Sequence, residues 1–219
     1  MSSWSRSSRY TPTRFVERLV RCVVGLGLFG FGITLFIRSG LGLPPWDVFH
    51  LGLADVLGLS IGVVIIGVGV LILLLWIPLR QRPGLGTILN ALEIGLVVDL
   101  TKPLIGEPDM VVLRVLMVAA GLLVVGIASA LYIGAGLGSG PRDGLMLGIS
   151  KQRIGSRSIS IRVARTAIEM TVLVAGVLLG GTVGLGTVAF VLGIGPLVQL
   201  FLPRFETRLA SEHRAAELT

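Results

Sequence analysis

The chain has 219 residues, 53% of them hydrophobic and only 14% charged, with a mean hydropathy of +0.91. Soluble domains carry about 25% charged residues, so this composition excludes an ordinary soluble domain and predicts an integral membrane protein. The net charge of +7 does not signal nucleic acid, because the basic residues gather at the ends of apolar runs, where membrane topology places them.

Residues 1–14 are basic and polar and read as a cytoplasmic tail. No small-residue cleavage site marks them as part of a signal peptide. A bilayer core about 30 Å thick takes roughly 20 apolar residues in a helix. Leu19–Ile37 is the first such run. The string GLGLPPWD (Gly40–Asp47) then leads into Pro44–Gly58, which is too short and too polar to span. Ser60–Leu79 is the second span and contains no charge, and Leu85–Leu104 is the third, interrupted by Asn90, Glu93 and Asp99. Val115–Gly134 is the fourth. A second string, GLGSGPRD (Gly136–Asp143), leads into another short segment, Pro141–Gly155. Val163–Leu179 and Leu185–Pro203 close the chain as a pair around Gly180-Gly181-Thr182-Val183, and residues 204–219 form a second basic tail.

Charge sets the expected topology. Six spans with the N-terminus inside place every Lys and Arg on the cytoplasmic side except Arg38, Lys102 and Arg114. Counting the short segments as spans would move Arg80 and Arg82 outside, against the positive-inside rule. Both termini are therefore expected in the cytoplasm.

The chain is also written twice. Arg18 aligns with Arg114, Gly25 with Gly121, Gly30 with Gly126, Pro45 with Pro141 and Asp47 with Asp143; Gly84-Leu85-Gly86-Thr87 aligns with Gly184-Leu185-Gly186-Thr187. Residues 15–107 and 108–203 thus form two membrane repeats. Three spans is an odd number, so the second repeat enters from the opposite side. The expected fold is an all-α, polytopic bundle of about six transmembrane helices, built from two inverted-topology three-helix repeats. Each repeat carries a short broken or re-entrant helix. Inverted repeats with broken helices recur in secondary transporters, although architecture alone does not fix function.

The polar residues within this frame are the candidate site. Asp47 and Asp143 fall in the first turn of the short helices, where a carboxylate either caps free N–H groups or lines a cavity. Arg142 fits both anion binding and cytoplasmic anchoring. Glu93 sits near the centre of the third span and shares a helical face with Asn90 and Gly86. With no local partner, its expected role is proton coupling or binding a cationic group. Glu169 lies one turn after Arg165 and is expected to pair with it. Asp99, Lys102 and His50 read as interfacial, and the Gly-Thr pairs at 86–87 and 186–187 as close-packing positions.

The runs GLGLPPWDV, GTILNALEIG, GLGSGPRDGLM and LGGTVGLGT resemble the YczE-like integral membrane proteins, a bacterial group related to the YitT-type proteins. The resemblance runs from about Arg18 to Pro203, and its most specific piece is the GxGPRDGLM run. It implies a bacterial inner-membrane bundle of about six helices, with links to export or control of secondary metabolites, and names no substrate. Trp46 stands in the first loop where the second has Arg142, so the loops are not chemically equivalent.

The expected function is a small-solute transporter or permease with its site between the repeats. The alternatives are a non-transporting scaffold or accessory protein of an export or biosynthetic complex, and the substrate-binding subunit of a multicomponent importer. The expected partners are the lipid bilayer and an unknown small solute, with no nucleic acid. A homo-oligomer or an accessory membrane partner is compatible with the chain. No enzyme activity is expected, because no Ser-His-Asp set, phosphate loop or paired-carboxylate motif stands out. Two histidines, His50 and His213, and one cysteine, Cys22, give no metal cluster or disulfide framework, and no cofactor is expected.

Overall fold

The computed structural model describes residues 12–150, 153–154, 157–158 and 160–205. Lys151, His213 and most of both expected tails lie outside the described residues. Among the described residues eight α-helices follow in order: α1 (Pro12–Ser39), α2 (Pro45–Leu57), α3 (Ile61–Leu75), α4 (Leu85–Thr101), α5 (Val111–Gly134), α6 (Pro141–Ser150), α7 (Ile161–Leu178) and α8 (Leu185–Phe205). A single 3-10 turn, Lys102–Leu104, extends α4. The second short helix runs Pro141–Ser150, and Arg153–Ile154, within the stretch expected to continue to Gly155, pairs antiparallel with Arg157–Ser158.

By length and composition, α1, α5 and α8 are apolar enough to cross a membrane, and the α2–α3 pair, bent by 112°, brings the number to four if it counts as one span. The other expected spans fall short for visible reasons. Helices α3 and α4 have 15 and 17 residues, and α7 carries Arg162, Arg165 and Glu169. Large apolar side chains such as Val112, Leu116, Leu123, Leu192 and Leu200 are exposed, as a lipid-facing surface requires.

Helix boundaries follow local chemistry. Helix α2 begins with Pro45 at its first position, where the missing N–H costs nothing, and ends at Gly58 in the left-handed conformation (φ 65°, ψ 30°). Ser60 Oγ accepts from Val63 N at 3.3 Å and Ser160 Oγ from Val163 N at 3.2 Å, so α3 and α7 start with the same cap. Gly84 N donates to Thr87 Oγ1 (3.1 Å) and Gly184 N to Thr187 Oγ1 (3.2 Å). The two Gly-Thr pairs therefore build helix starts as well as packing surfaces.

The centre of the bundle is the antiparallel packing of α1 on α5. Gly25 lies against Ala128 and Tyr132, and Gly32 against Gly121 and Val125, where any added Cβ would collide. The loops then cross between halves. Gly186 N donates to Leu41 O at 2.8 Å, and Gly86 N donates to Leu137 O at the same distance. Gly42 (φ 107°) seats on Gly184 and Thr187, and Gly138 (φ 125°) on Gly84 and Thr87. A side chain at either position would be strained and would also strike the opposing helix start. Arg18 clamps the end of α5 through Ala135 O (2.6 Å) and Gly136 O (2.5 Å), and Arg114 approaches Gly40 at the end of α1.

Candidate functional site

The two short helices start at one place. Arg142 Nη2, in the first turn of α6, lies 3.8 Å from Asp47 Oδ1 in the first turn of α2. Its guanidinium carbon stands 4.9 Å from the centroid of the Trp46 ring. The positions held by Trp46 in one loop and Arg142 in the other are therefore in direct contact, as a cation on an aromatic face.

A cavity of about 310 Å³ opens beside this junction. Asn90, Arg142, Asp143 and Glu169 line it, four of the six candidate residues read from the sequence. Asp47 lines a narrow extension of about 70 Å³ that shares Trp46, Arg142, Arg165 and Glu169 with the larger space. Glu93 is not brought in. It is half-buried on the side of α4 that faces α1, with its Oε1 near Gly27.

Asp143 is exposed to the cavity, and its Oδ2 accepts a long hydrogen bond of 3.4 Å from Tyr132 OH. Gly140 brings the backbone close to Asp143, Asn90 and Tyr132, so α6, α4 and α5 converge there. Arg165 Nε donates to Glu169 Oε1 at 2.9 Å, the one-turn pair that the spacing predicts. Trp76 Nε1 donates to Pro141 O at 3.0 Å, and the Trp76 ring lies on Gly144, fixing the start of α6.

Asp47 does not cap its own helix. The start of α2 has no side-chain cap, and Asp47 Oδ1 sits 3.0 Å from His50 Nδ1. His50 is 1% exposed and Asp47 2%, so the pair is buried within the protein. Three buried polar atoms here, Trp46 Nε1, Asp47 Oδ2 and His50 Nε2, have no partner among the described residues. Such atoms are costly and uncommon. A small space of about 20 Å³ beside His50, Asn90 and Arg142 is large enough for one water.

Asp99, expected at the interface, ties two helices together by accepting from Ser60 Oγ (2.5 Å) and Gly62 N (2.9 Å). Sequence reading missed Phe29, Trp46, Ser129, Tyr132 and Gln199 as lining residues. Only Trp46 carried a signal, as the departure between the two loop strings. Among the described residues no group of His, Cys, Asp and Glu could hold a metal ion.

The family model for a family of unknown function, DUF6198, matches residues 16–203. An uncharacterized protein of Haemophilus influenzae is 39% identical over 92% of this chain and 89% of its own length. The uncharacterized membrane protein YczE of Bacillus subtilis is 31% identical over 82% of this chain and 83% of its own. The uncharacterized protein YyaS of Bacillus subtilis is 28% identical over 87% of this chain and 95% of its own. No solved structure matches. With the match running from the first span through the last, the chain belongs to the DUF6198 family and is a YczE-like membrane protein.

Proposed function

We propose that this protein is a small-solute transporter of the bacterial inner membrane. In this reading it is built from two inverted three-helix repeats, crosses six times and keeps both termini in the cytoplasm. Its solute site is the cavity at the junction of the two broken helices, and the solute crosses chemically unchanged. The observation that carries the reading is the meeting of α2 and α6. Each opens with the same Gly-Pro-Asp punctuation, and their first turns face one another across Asp47 and Arg142 at the mouth of the cavity. Irregular backbone at membrane depth is tolerated where protein or a water-filled cavity covers it, and helix starts aimed at a shared cavity are how broken-helix transporters hold polar solutes. The paired loop contacts of the two halves fit a two-fold relation between the repeats.

The test is flux in proteoliposomes. Purified protein is reconstituted and uptake and efflux are followed for a panel of small labelled solutes. The expected result is protein-dependent flux of at least one solute, lost in Asp143→Asn and in Arg142→Gln. A detected flux unchanged in both variants would end this site assignment.

A further inference from the structure

The lining of the cavity holds two guanidiniums, Arg142 and Arg165, and two carboxylates, Asp143 and Glu169. The remaining walls are largely apolar or aromatic, among them Phe29, Trp46, Val125 and Phe190. The charges are unevenly spent. Arg165 and Glu169 are hydrogen-bonded to one another at 2.9 Å. Arg142 makes no hydrogen bond among the described residues, being held 3.8 Å from Asp47 and laid over Trp46. Asp143 accepts only the long bond from Tyr132 and has no basic partner within ion-pair distance among the described residues. One wall thus has donors to spare, and its neighbour in the sequence has a carboxylate to spare.

A lone anion placed here would meet Arg142 but crowd Asp143 and Glu169, and a lone cation would meet Asp143 but crowd two guanidiniums. Either would be set against like charges in a low-dielectric site, which is costly. A solute carrying both charges satisfies both walls and leaves the balance of the four lining groups unchanged. We propose that the cavity binds a zwitterion of the amino-acid type with an apolar side chain. Its carboxylate is taken by Arg142, its ammonium by Asp143, and its side chain packs on Phe29 and Phe190. This rests on reading the cavity as the solute site.

The test compares three compounds that differ by one charge, measured as binding to the purified wild-type protein in detergent by thermal stabilisation. They are L-phenylalanine, L-phenylalaninamide as the cation and N-acetyl-L-phenylalanine as the anion, with L-leucine and glycine betaine as further zwitterions. The expected result is stabilisation by at least one zwitterion, with both single-charge relatives about tenfold weaker or worse. Asp143→Asn and Arg142→Gln should each abolish the response. Equal binding of the amide would make this an organic-cation site, equal binding of the acetyl compound an anion site, and silence from every zwitterion would remove the proposal. The wild-type comparison needs no variant to fold. Binding without flux would leave this inference standing and remove the transporter reading. Flux of a single-charge solute alone would do the reverse.

Discussion

Helices α3 and α4 form one hairpin and α7 and α8 another, with the same start signals in each, and they end up very different. The first pair packs along its length, while the second leaves its shared loop without packing together, and the cavity lies between. The residues explain the difference. From the matched caps Ser60 and Ser160, the inner face of α3 offers Gly62, Ile65 and Gly69 where α7 has Arg162, Arg165 and Glu169. Gly62 and Gly95 touch backbone to backbone, and Asp99 bonds across to Ser60 and Gly62. On α8, Gly195 has nothing opposite it, and Gln199 stands where α4 has Asp99. The first hairpin is a closed support and the second the wall of a cavity.

The largest effect is expected from breaking the closed hairpin. Gly62→Leu would drive a side chain into the Gly95 carbonyl and the Asp99 carboxylate. Overpacking of this kind costs about 1–3 kcal/mol or more, and a lower unfolding temperature in detergent is the readout. Converting the open hairpin to the closed type is next. Arg165→Ile combined with Glu169→Gly should lower any detected flux or binding about tenfold or more without lowering the unfolding temperature, because the pair it removes from the cavity wall is partly exposed and such pairs add little stability. The caps give a smaller contrast. Loss of a serine cap costs about 0.5–2 kcal/mol. Ser60→Ala should destabilise more than Ser160→Ala, because only Ser60 also donates to Asp99. The smallest effect is expected from Glu93→Gln, which should change binding by less than about twofold, since Glu93 faces Gly27 and not the cavity.

Much of this frame was legible in the sequence. The Gly-Pro-Asp strings and the Arg165–Glu169 spacing act within a few residues, so local chemistry fixes them. The cavity was only half legible. Asn90 and Glu93 are three residues apart and so differ by about 60° around the helix. That is enough for Asn90 to reach the cavity while Glu93 turns to α1. His50 carried no mark of its burial, since a histidine in a short polar helix gives no sign of packing. It is buried because α2 lies under α3 and α7 and meets α6 at its start. Phe29, Ser129 and Tyr132 come to the site through the α1–α5 crossing, and no periodicity within either helix announces which face that crossing opens to the cavity.

Helices α2 and α6 start at one shared site. Cys22 is the chain's single cysteine, so a Cys22→Ser background carrying Asp47→Cys and Arg142→Cys tests it in native membranes with a short bifunctional thiol reagent. The expected product is an intramolecular cross-link, seen by mass spectrometry as a peptide of α2 joined to a peptide of α6. A folded protein with both thiols labelled singly and never joined would contradict the shared start of α2 and α6.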